Sequence, residues 1–255
     1  MIKFFRKIRQ NLLSEGKTGK TGLSSGNYLK YAIGEIVLVV IGILIALQIN
    51  NWNENKKESK LETIILTEIY SALESDIENQ TNGVIFYIER ANKSIIELTK
   101  IKENTSYPRD SIRYHLTNLR EVGLFFRIKT GPFETLNSIG LDKVSNTILR
   151  NKITELYSGN LPTLAIWIND IIRPYIYEKN KLFEEIFTPK VIVKDDKFDL
   201  MIDLSHVESQ LTSEKFNLML KKISDILPST IGRLKFNVEK MKEVKNEIGK
   251  ELNLK

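Results

Sequence analysis

Hydrophobic residues are concentrated in one long run near the N-terminus. From Ala32 to Ile49 the only strongly polar side chains are Glu35 and Gln48, one near each end of the run. About 18 to 20 apolar residues are enough for a helix to cross roughly 30 Å of hydrocarbon. The pattern therefore predicts one transmembrane helix, which we place at residues 28–52. No later stretch approaches this length without polar interruption.

Charges on the two sides of this run are unequal, and they predict its orientation. The twenty residues after the run contain three basic residues, Lys56, Lys57 and Lys60. One acid, Glu15, and seven basic residues precede the run, and the basic ones are Lys3, Arg6, Lys7, Arg9, Lys17, Lys20 and Lys30. The positive-inside rule then predicts a cytoplasmic N-terminus and a translocated C-terminal part. A cleaved signal peptide is the alternative, because it also has a basic region before an apolar core, but no small-x-small pair follows the run here.

Residues 1–27 predict a cytoplasmic basic amphipathic helix followed by a flexible tether. Within residues 2–13 the apolar side chains fall on one helical face and the basic side chains mostly on the other, a pattern typical of helices that lie on a membrane surface. A short frayed helix whose charges only set the topology is an equal alternative. The Gly-Lys-Thr triplets at 16–18 and 19–21 resemble part of a phosphate-binding loop, but the required earlier glycine and preceding strand are absent.

Residues 53–255 show helical rather than strand periodicity. Apolar residues recur at spacings of three, four or seven from Leu61 to Leu98, and a similar stripe runs from Ile231 to Leu252. A continuous helix over 54–103 would be about 75 Å long and stalk-like. The two stripes predict antiparallel packing of their helices. The predicted fold class is all-α, with an N-terminal transmembrane helix followed by a helical bundle that includes the long stalk-like helix, which Gly83 either kinks or ends.

Proline and glycine divide the middle of the chain into shorter predicted helices. We expect helices at about 109–122, from Thr130 to Gly140, and at about 145–158 with Gly159 closing the last one. A further helix begins at Pro162, and we expect it to be kinked or broken near Pro174.

The segment that follows has mixed character. Residues 191–193 and 200–202 predict either a short β-hairpin around Asp195 and Asp196 or a plain loop. Ser205 to Glu208 has the pattern of a capping box, which would open a helix that ends before Pro228.

The basic composition does not indicate nucleic-acid binding. The chain carries 38 Lys and Arg against 32 Asp and Glu, but the excess lies in and before the apolar run, and residues 53–255 are almost neutral. A neutral domain lacks the electrostatic footprint of a nucleic-acid-binding protein. The chain has no cysteine, which excludes thiolate catalysis, disulfides and iron–sulfur ligation.

No arrangement of residues in the sequence predicts catalysis. His115 and His206 are the only histidines, and neither has the spacing of a metal site. The acidic residues near Asp199 do not follow the order of a calcium loop. We therefore predict no catalytic residue, no metal and no cofactor, and we expect a protein that is not an enzyme.

The predicted span itself contains the candidate functional residues. Glu35, Gly42 and Ala46 fall on one side of a helix with 3.6 residues per turn. Gly42 and Ala46 form a small-xxx-small pair, the spacing that lets two membrane helices approach closely. This predicts a homo-oligomer through the span, although glycine and alanine are frequent in any membrane helix. An ionisable residue such as Glu35 is costly in hydrocarbon unless it is paired, wet or neutral.

The chain resembles a known family at its N-terminal basic segment, residues 1–14, and most closely at residues 31–54, with weaker likeness at residues 133–140. The family is a group of bacterial single-pass membrane proteins known as domain of unknown function 6090. The resemblance implies a Gram-negative envelope protein with an N-terminal anchor and a helical domain. Together with the orientation predicted from the charges, this places the anchor in the inner membrane, the N-terminus in the cytoplasm and the domain at 53–255 in the periplasm. It implies no activity and assigns no residue a role.

Two functions remain open at this stage. The first is a membrane-anchored envelope protein whose helical domain is a non-enzymatic interaction or structural module, with the lipid bilayer, a second copy and an envelope protein as partners. The alternative is a periplasmic sensor or ligand-binding bundle that works with a separate signalling partner. In that case Trp167, Tyr175 and Tyr177 would line an apolar pocket.

Overall fold

The computed structural model describes residues 25–103, 107–123, 126–188, 190–194 and 197–254, with side chains from residue 32 onward except those of residues 194 and 197–200. The amphipathic helix and tether predicted before residue 25 lie outside the described residues. The chain divides into two compact units, Met1–Lys57 and Glu58–Lys255. The predicted domain boundaries after residues 27 and 52 stay predictions.

The first helical run extends without interruption to Glu103. It consists of α1 (Ser25–Glu78), a π-helical segment π1 (Asn79–Ile85) and α2 (Phe86–Glu103). The long helix predicted over 54–103 is confirmed, and Gly83 lies in π1 rather than at a helix end. From Ile65 onward the apolar stripe of this run is buried, so its second half is a core helix of the bundle.

The remaining elements of the second unit follow in chain order. They are α3 (Arg109–Arg120), α4 (Gly131–Ile139), a 3₁₀ turn (Leu141–Lys143), α5 (Thr147–Glu155), π2 (Leu156–Asn160), α6 (Leu161–Ile166), π3 (Trp167–Ile172), α7 (Arg173–Phe187), β1 (Lys190–Lys194), β2 (Lys197–Met201), α8 (Val207–Thr212) and α9 (Glu214–Glu251).

In the run α5–π2–α6–π3–α7 the predicted helix start at Pro162 is confirmed to within one residue, whereas the glycine differs from the prediction. Gly159 lies inside π2 and does not end a helix, so the predicted stop there is wrong. Pro162 and Pro174 are each the second residue of an α-helical segment that directly follows a π-helical one. Proline lacks an N–H and its ring collides with the carbonyl four residues earlier, and a π-helical turn rearranges that carbonyl. The run therefore continues past both prolines.

The predicted boundaries of the shorter helices are partly confirmed. α3 occupies the predicted place, and α4 begins after Thr130 and ends at Gly140. Gly140 has φ of 111°, a conformation that favours glycine. The start of α5 is capped by Asn146, whose side chain accepts hydrogen bonds from two main-chain N–H groups.

Two predictions about the last helices are wrong. No side-chain hydrogen bond caps α8, so the capping box at Ser205 does not form. The cap lies at Ser213, whose Oγ accepts from the N–H of Phe216 and opens α9. α9 also continues through Pro228 instead of ending before it. Pro228 is exposed while its neighbours Ile226 and Leu227 are buried, and that burial offsets the lost hydrogen bond.

A β-hairpin follows α7, as one of the two sequence interpretations predicts. β1 and β2 pair antiparallel, with Val191 opposite Leu200 and Val193 opposite Phe198. Asp195 and Asp196, the predicted turn, lie outside the described residues.

The predicted antiparallel pairing of the first and last long helices is confirmed by contacts along their length. The Nζ atoms of Lys245 and Lys235 lie 2.7 and 2.6 Å from the carboxylates of Glu74 and Glu89. Farther along, the Nζ of Lys102 donates to Asn217 Oδ1 at 2.8 Å. Residues later in the first helical run therefore contact residues earlier in α9, which is the order expected of an antiparallel pair.

The bundle contains two apolar clusters that meet in its middle. One is formed mainly by π1, α2, α3, α7 and α9, and the other by α1, α4, α5 and the C-terminal part of α9. Ile77 and Phe126 pack against both clusters. These two residues therefore mark the seam between the two clusters.

Candidate functional site

The first unit carries a candidate membrane span. Its most apolar 18-residue window has a mean hydropathy of 2.6, and none of that window is buried. Among the described residues this is the one helix long and apolar enough to cross a membrane. A contiguous exposed apolar surface of this size is typical of a site that lipid or another protein covers.

The structure leaves the predicted association face of this helix open. Glu35, Gly42 and Ala46 are all exposed. A Cβ placed on Gly42 would have no heavy atom within 4 Å, and the same is true of Gly34. Helical geometry puts the three predicted residues on one side, and nothing among the described residues of this single chain covers Gly42.

The end of the span carries groups suited to a membrane–water boundary. The Trp52 ring is exposed, and the Nζ of Lys56 lies 5.3 Å from its centroid. Asn50 donates from Nδ2 to Glu54 Oε1 at 3.1 Å. Tryptophan is enriched at membrane–water boundaries, where an amphipathic ring has one apolar and one wet side.

The part of the chain that the structure describes holds no group of three His, Asp or Glu side chains placed to bind a metal. His115 instead belongs to a polar contact between α2 and α3, with its Nδ1 3.1 Å from Ser94 Oγ. Asn118 donates from Nδ2 to the same hydroxyl at 3.0 Å. Ser94 is buried, so this Ser–His pair is closed to a substrate. Burial lowers the pKa of His115, and the charge of Glu97 opposes that shift.

A buried polar site that the sequence analysis missed lies at the seam between the two clusters. Asp76 Oδ2 accepts a hydrogen bond from the main-chain N–H of Lys129 at 2.8 Å. Gln80 Nε2 donates to the main-chain carbonyl of Arg127 at 3.3 Å. Both side chains belong to the first helical run and both are buried. They hold the segment Phe126–Thr130, which we call the strap, by its main chain.

The electrostatics of this site reflect its burial. Burial raises the pKa of Asp76, while the Lys129 N–H and ammonium charge act in the opposite direction. Burial also raises the pKa of Tyr157, and the nearby charge of Asp76 adds to that effect. The Tyr157 ring stacks on Phe133 with centroids 4.9 Å apart. Within the described residues Gln80 Oε1 and Tyr157 Oη have no hydrogen-bond partner.

A second buried ionisable group, also missed, fastens α7 to α3. Lys179 is fully buried, and its Nζ donates to the carbonyls of Leu119 and Arg120 at 2.9 and 3.2 Å. Burial lowers its pKa to about 8, and the Arg120 charge contributes. These carbonyls belong to the last turn of α3, where main-chain acceptors lack helical partners.

A signal for these missed residues was present in the sequence. Asp76 and Gln80 lie three and seven residues after Leu73, at positions of its apolar stripe, and Lys179 lies between Ile176 and Phe183 at helical spacing. A polar residue on an apolar stripe is either a helix irregularity or a buried, hydrogen-bonded group. Only the partners from other elements distinguish these two cases.

Two of the three aromatic residues proposed to line a ligand pocket, Trp167 and Tyr175, pack against the larger apolar cluster, and the third is exposed. The Arg233 guanidinium lies 4.0 Å from the centroid of the Trp167 ring. The exposed residue, Tyr177, is 73% exposed. These positions give no specific support to the ligand-binding alternative.

Residues 35–160 match the sequence model of a family of unknown function, DUF6090. The matched segment belongs to this family. The DUF6090 match begins at Glu35 in the candidate span and ends with Asn160 at the end of π2. It includes Asp76, Gln80, the strap and Tyr157, whereas Lys179 and all of α9 lie outside it. No curated protein and no solved structure matches the chain.

Proposed function

We propose that this DUF6090 protein is a single-pass, membrane-anchored helical protein whose bundle serves as a non-enzymatic interaction or structural module. The observation that carries the proposal is the unburied apolar window of α1. In water that surface would be exposed at a large free-energy cost, and a bilayer removes the cost. The bundle has its own buried core and needs no membrane to cover it.

The proposed orientation puts the N-terminus in the cytoplasm and the bundle in the periplasm of a Gram-negative cell. The orientation is supported by the excess of basic residues before the span. The Gram-negative setting is what the sequence resemblance to bacterial single-pass membrane proteins implies. The proposed partners are the lipid bilayer, a second copy through Gly42 and Ala46, and an envelope protein at the bundle.

Protease accessibility tests the orientation. The full chain, with a C-terminal tag, is expressed in a Gram-negative host, and spheroplasts are treated with protease beside a cytoplasmic control protein. We expect loss of the tag while the control protein stays intact. Protection of the tag in intact spheroplasts and digestion only after lysis would overturn the periplasmic placement.

A second tag at the N-terminus distinguishes an anchor from a cleaved signal peptide. The anchor predicts one membrane-bound species that carries both tags. A soluble species that retains only the C-terminal tag would show cleavage and remove the anchoring role.

The interaction role is tested by comparing the full chain with a truncation that ends at Lys57, the last residue of the first unit. Both are crosslinked in cells and purified in mild detergent. We expect at least one crosslinked protein that depends on the second unit. Identical crosslinked species for both forms would contradict an interaction role of the bundle.

A further inference from the structure

The hydrogen bonds at the seam are incomplete in a specific way. An ionised Asp76 accepts from Lys129 N–H, and Gln80 uses its amide nitrogen on the Arg127 carbonyl. Gln80 Oε1 is buried and has no donor among the described residues. A buried acceptor without a donor costs free energy comparable to a lost hydrogen bond.

The network lacks a donor for Gln80 Oε1, and a proton on the Asp76 carboxylate would supply one. Asp76 and Gln80 are four residues apart on one helical run, the spacing at which Asp and Gln side chains form hydrogen bonds. An ionised carboxylate and an amide oxygen are both acceptors, so they cannot bond to each other. A protonated carboxyl has an O–H donor and a remaining acceptor oxygen.

We propose that Asp76, Gln80 and the strap form a proton-dependent latch. When Asp76 takes up a proton, one carboxyl oxygen keeps the N–H of Lys129 and the other donates its O–H to Gln80 Oε1. Gln80 continues to donate to Arg127, so a continuous chain of hydrogen bonds holds the strap at residues 127 and 129. Loss of the proton breaks the central bond and loosens the strap.

Two other ionisable groups face Asp76, and the charge on each bears on whether the Asp76 carboxyl group is protonated or ionised. Lys129 lies on the strap itself; its Nζ donates to Ser75 Oγ at 2.8 Å, and its positive charge favours the ionised carboxylate. Tyr157 approaches from π2; a phenol is uncharged at neutral pH, and burial raises the pKa of Tyr157 still further from that range. Burial of Asp76 favours the protonated form and is the largest of these effects.

The direction of the response follows from linkage. Because the pKa of Asp76 is raised above 3.8, the folded protein binds more protons at this residue than the unfolded chain does. Acidification toward that pKa therefore stabilises the closed strap, and ionisation at higher pH opposes it. This sign is opposite to that of a surface ion pair, which weakens in acid.

Hydrogen exchange of the strap amides in the full chain, held in detergent micelles, tests the latch. Protection factors for residues 127–130, corrected for intrinsic exchange, are measured from neutral pH down to the ordinary aspartate pKa of 3.8. In the unmodified protein we expect protection to rise on acidification, by up to about tenfold per pH unit at the steepest point. Asp76→Asn resembles the protonated acid, so high and pH-independent protection is expected. Gln80→Leu removes the acceptor and should abolish the rise.

The matched control is Asp225→Asn, a change at an exposed aspartate of α9 that should keep the unmodified response. Infrared difference spectra supply a readout that does not depend on strap motion, because a protonated carboxyl band should appear on acidification and be missing in Asp76→Asn. Protection that stays flat or falls on acidification would overturn the latch. So would a full pH response in Gln80→Leu.

Discussion

The Lys179 ammonium lies 2.9 Å from the carbonyl oxygen of Leu119, sixty residues earlier in the chain. Lysine is almost never fully buried unless it is paired, and here two main-chain carbonyls are its partners. The contact closes the C-terminal end of α3, where a positive charge also interacts favourably with the helix dipole. α7 is thereby fixed to α3 by a polar bond inside an apolar core.

The first prediction concerns the pH dependence caused by Lys179. Its pKa is lowered to about 8 in the folded protein, so between that pH and about 10.4 the unfolded chain binds more protons. Stability should therefore rise with pH in this window, by at most about 1.4 kcal/mol per pH unit. Thermal unfolding in detergent from pH 7 to 10 should show this gain in the unmodified protein relative to Lys179→Met. Parallel curves for the two proteins would contradict the prediction.

The second prediction concerns His115. Burial lowers its pKa below 6.5, so the unfolded chain takes up a proton before the folded protein does as the pH falls. The stability contribution is present above pH 6.5 and is lost as the pH drops toward the lowered folded pKa. We expect the unmodified protein to lose stability from pH 7.5 to 5 relative to His115→Gln, which does not titrate. His206→Gln, at an exposed position, serves as the control and should follow the unmodified protein.

The third prediction pairs two glycines with opposite expected effects. A Cβ on Gly140 would lie 2.4 Å from Asp142 Oδ1, and the residue has a positive φ. Gly140→Ala should therefore cost about 1 to 3 kcal/mol. Gly159 has helical surroundings with nothing within 4 Å, so Gly159→Ala should gain about 0.4 to 1 kcal/mol. Equal shifts in melting temperature for both variants would refute this assignment.

The fourth prediction tests association through the span. A Cβ on Gly42 meets nothing beyond its own helix backbone, so we expect the main effect of Gly42→Leu to be on contact with a neighbouring helix. Gly34→Leu makes the same change about 80° away around the helix and is equally free of internal contacts. We expect Gly42→Leu, and to a lesser degree Glu35→Ala, to weaken dimerisation in a membrane two-hybrid assay, while Gly34→Leu has little effect. No difference between the two leucine variants would exclude the Gly42 face.

Much of the fold was predictable because it depends on local patterns. The stripe from Leu61 to Leu98 and that from Ile231 to Leu252 identified two long helices and their antiparallel pairing. The proline rule failed at Pro228, because buried neighbours outweigh one missing hydrogen bond in a long helix. The capping pattern at Ser205 failed because the helix that follows begins one residue later, with His206 at the N-cap position and no side-chain cap.

The buried polar residues were not predictable in the same way. Asp76, Gln80 and Lys179 are ordinary polar residues in the sequence, and their burial depends on partners 47 to 60 residues distant, as the bonds to Lys129, Arg127 and Leu119 show.

The sequence by itself determined the candidate span, the all-α class and the family, because hydrocarbon length, helical periodicity and composition are properties of contiguous residues. Only the tertiary structure decided which polar groups are buried, which carbonyls they reach and which oxygens lack a partner. The physical reason is that desolvation and hydrogen-bond geometry are set by packing between distant segments, and a one-dimensional pattern contains no information about those distances.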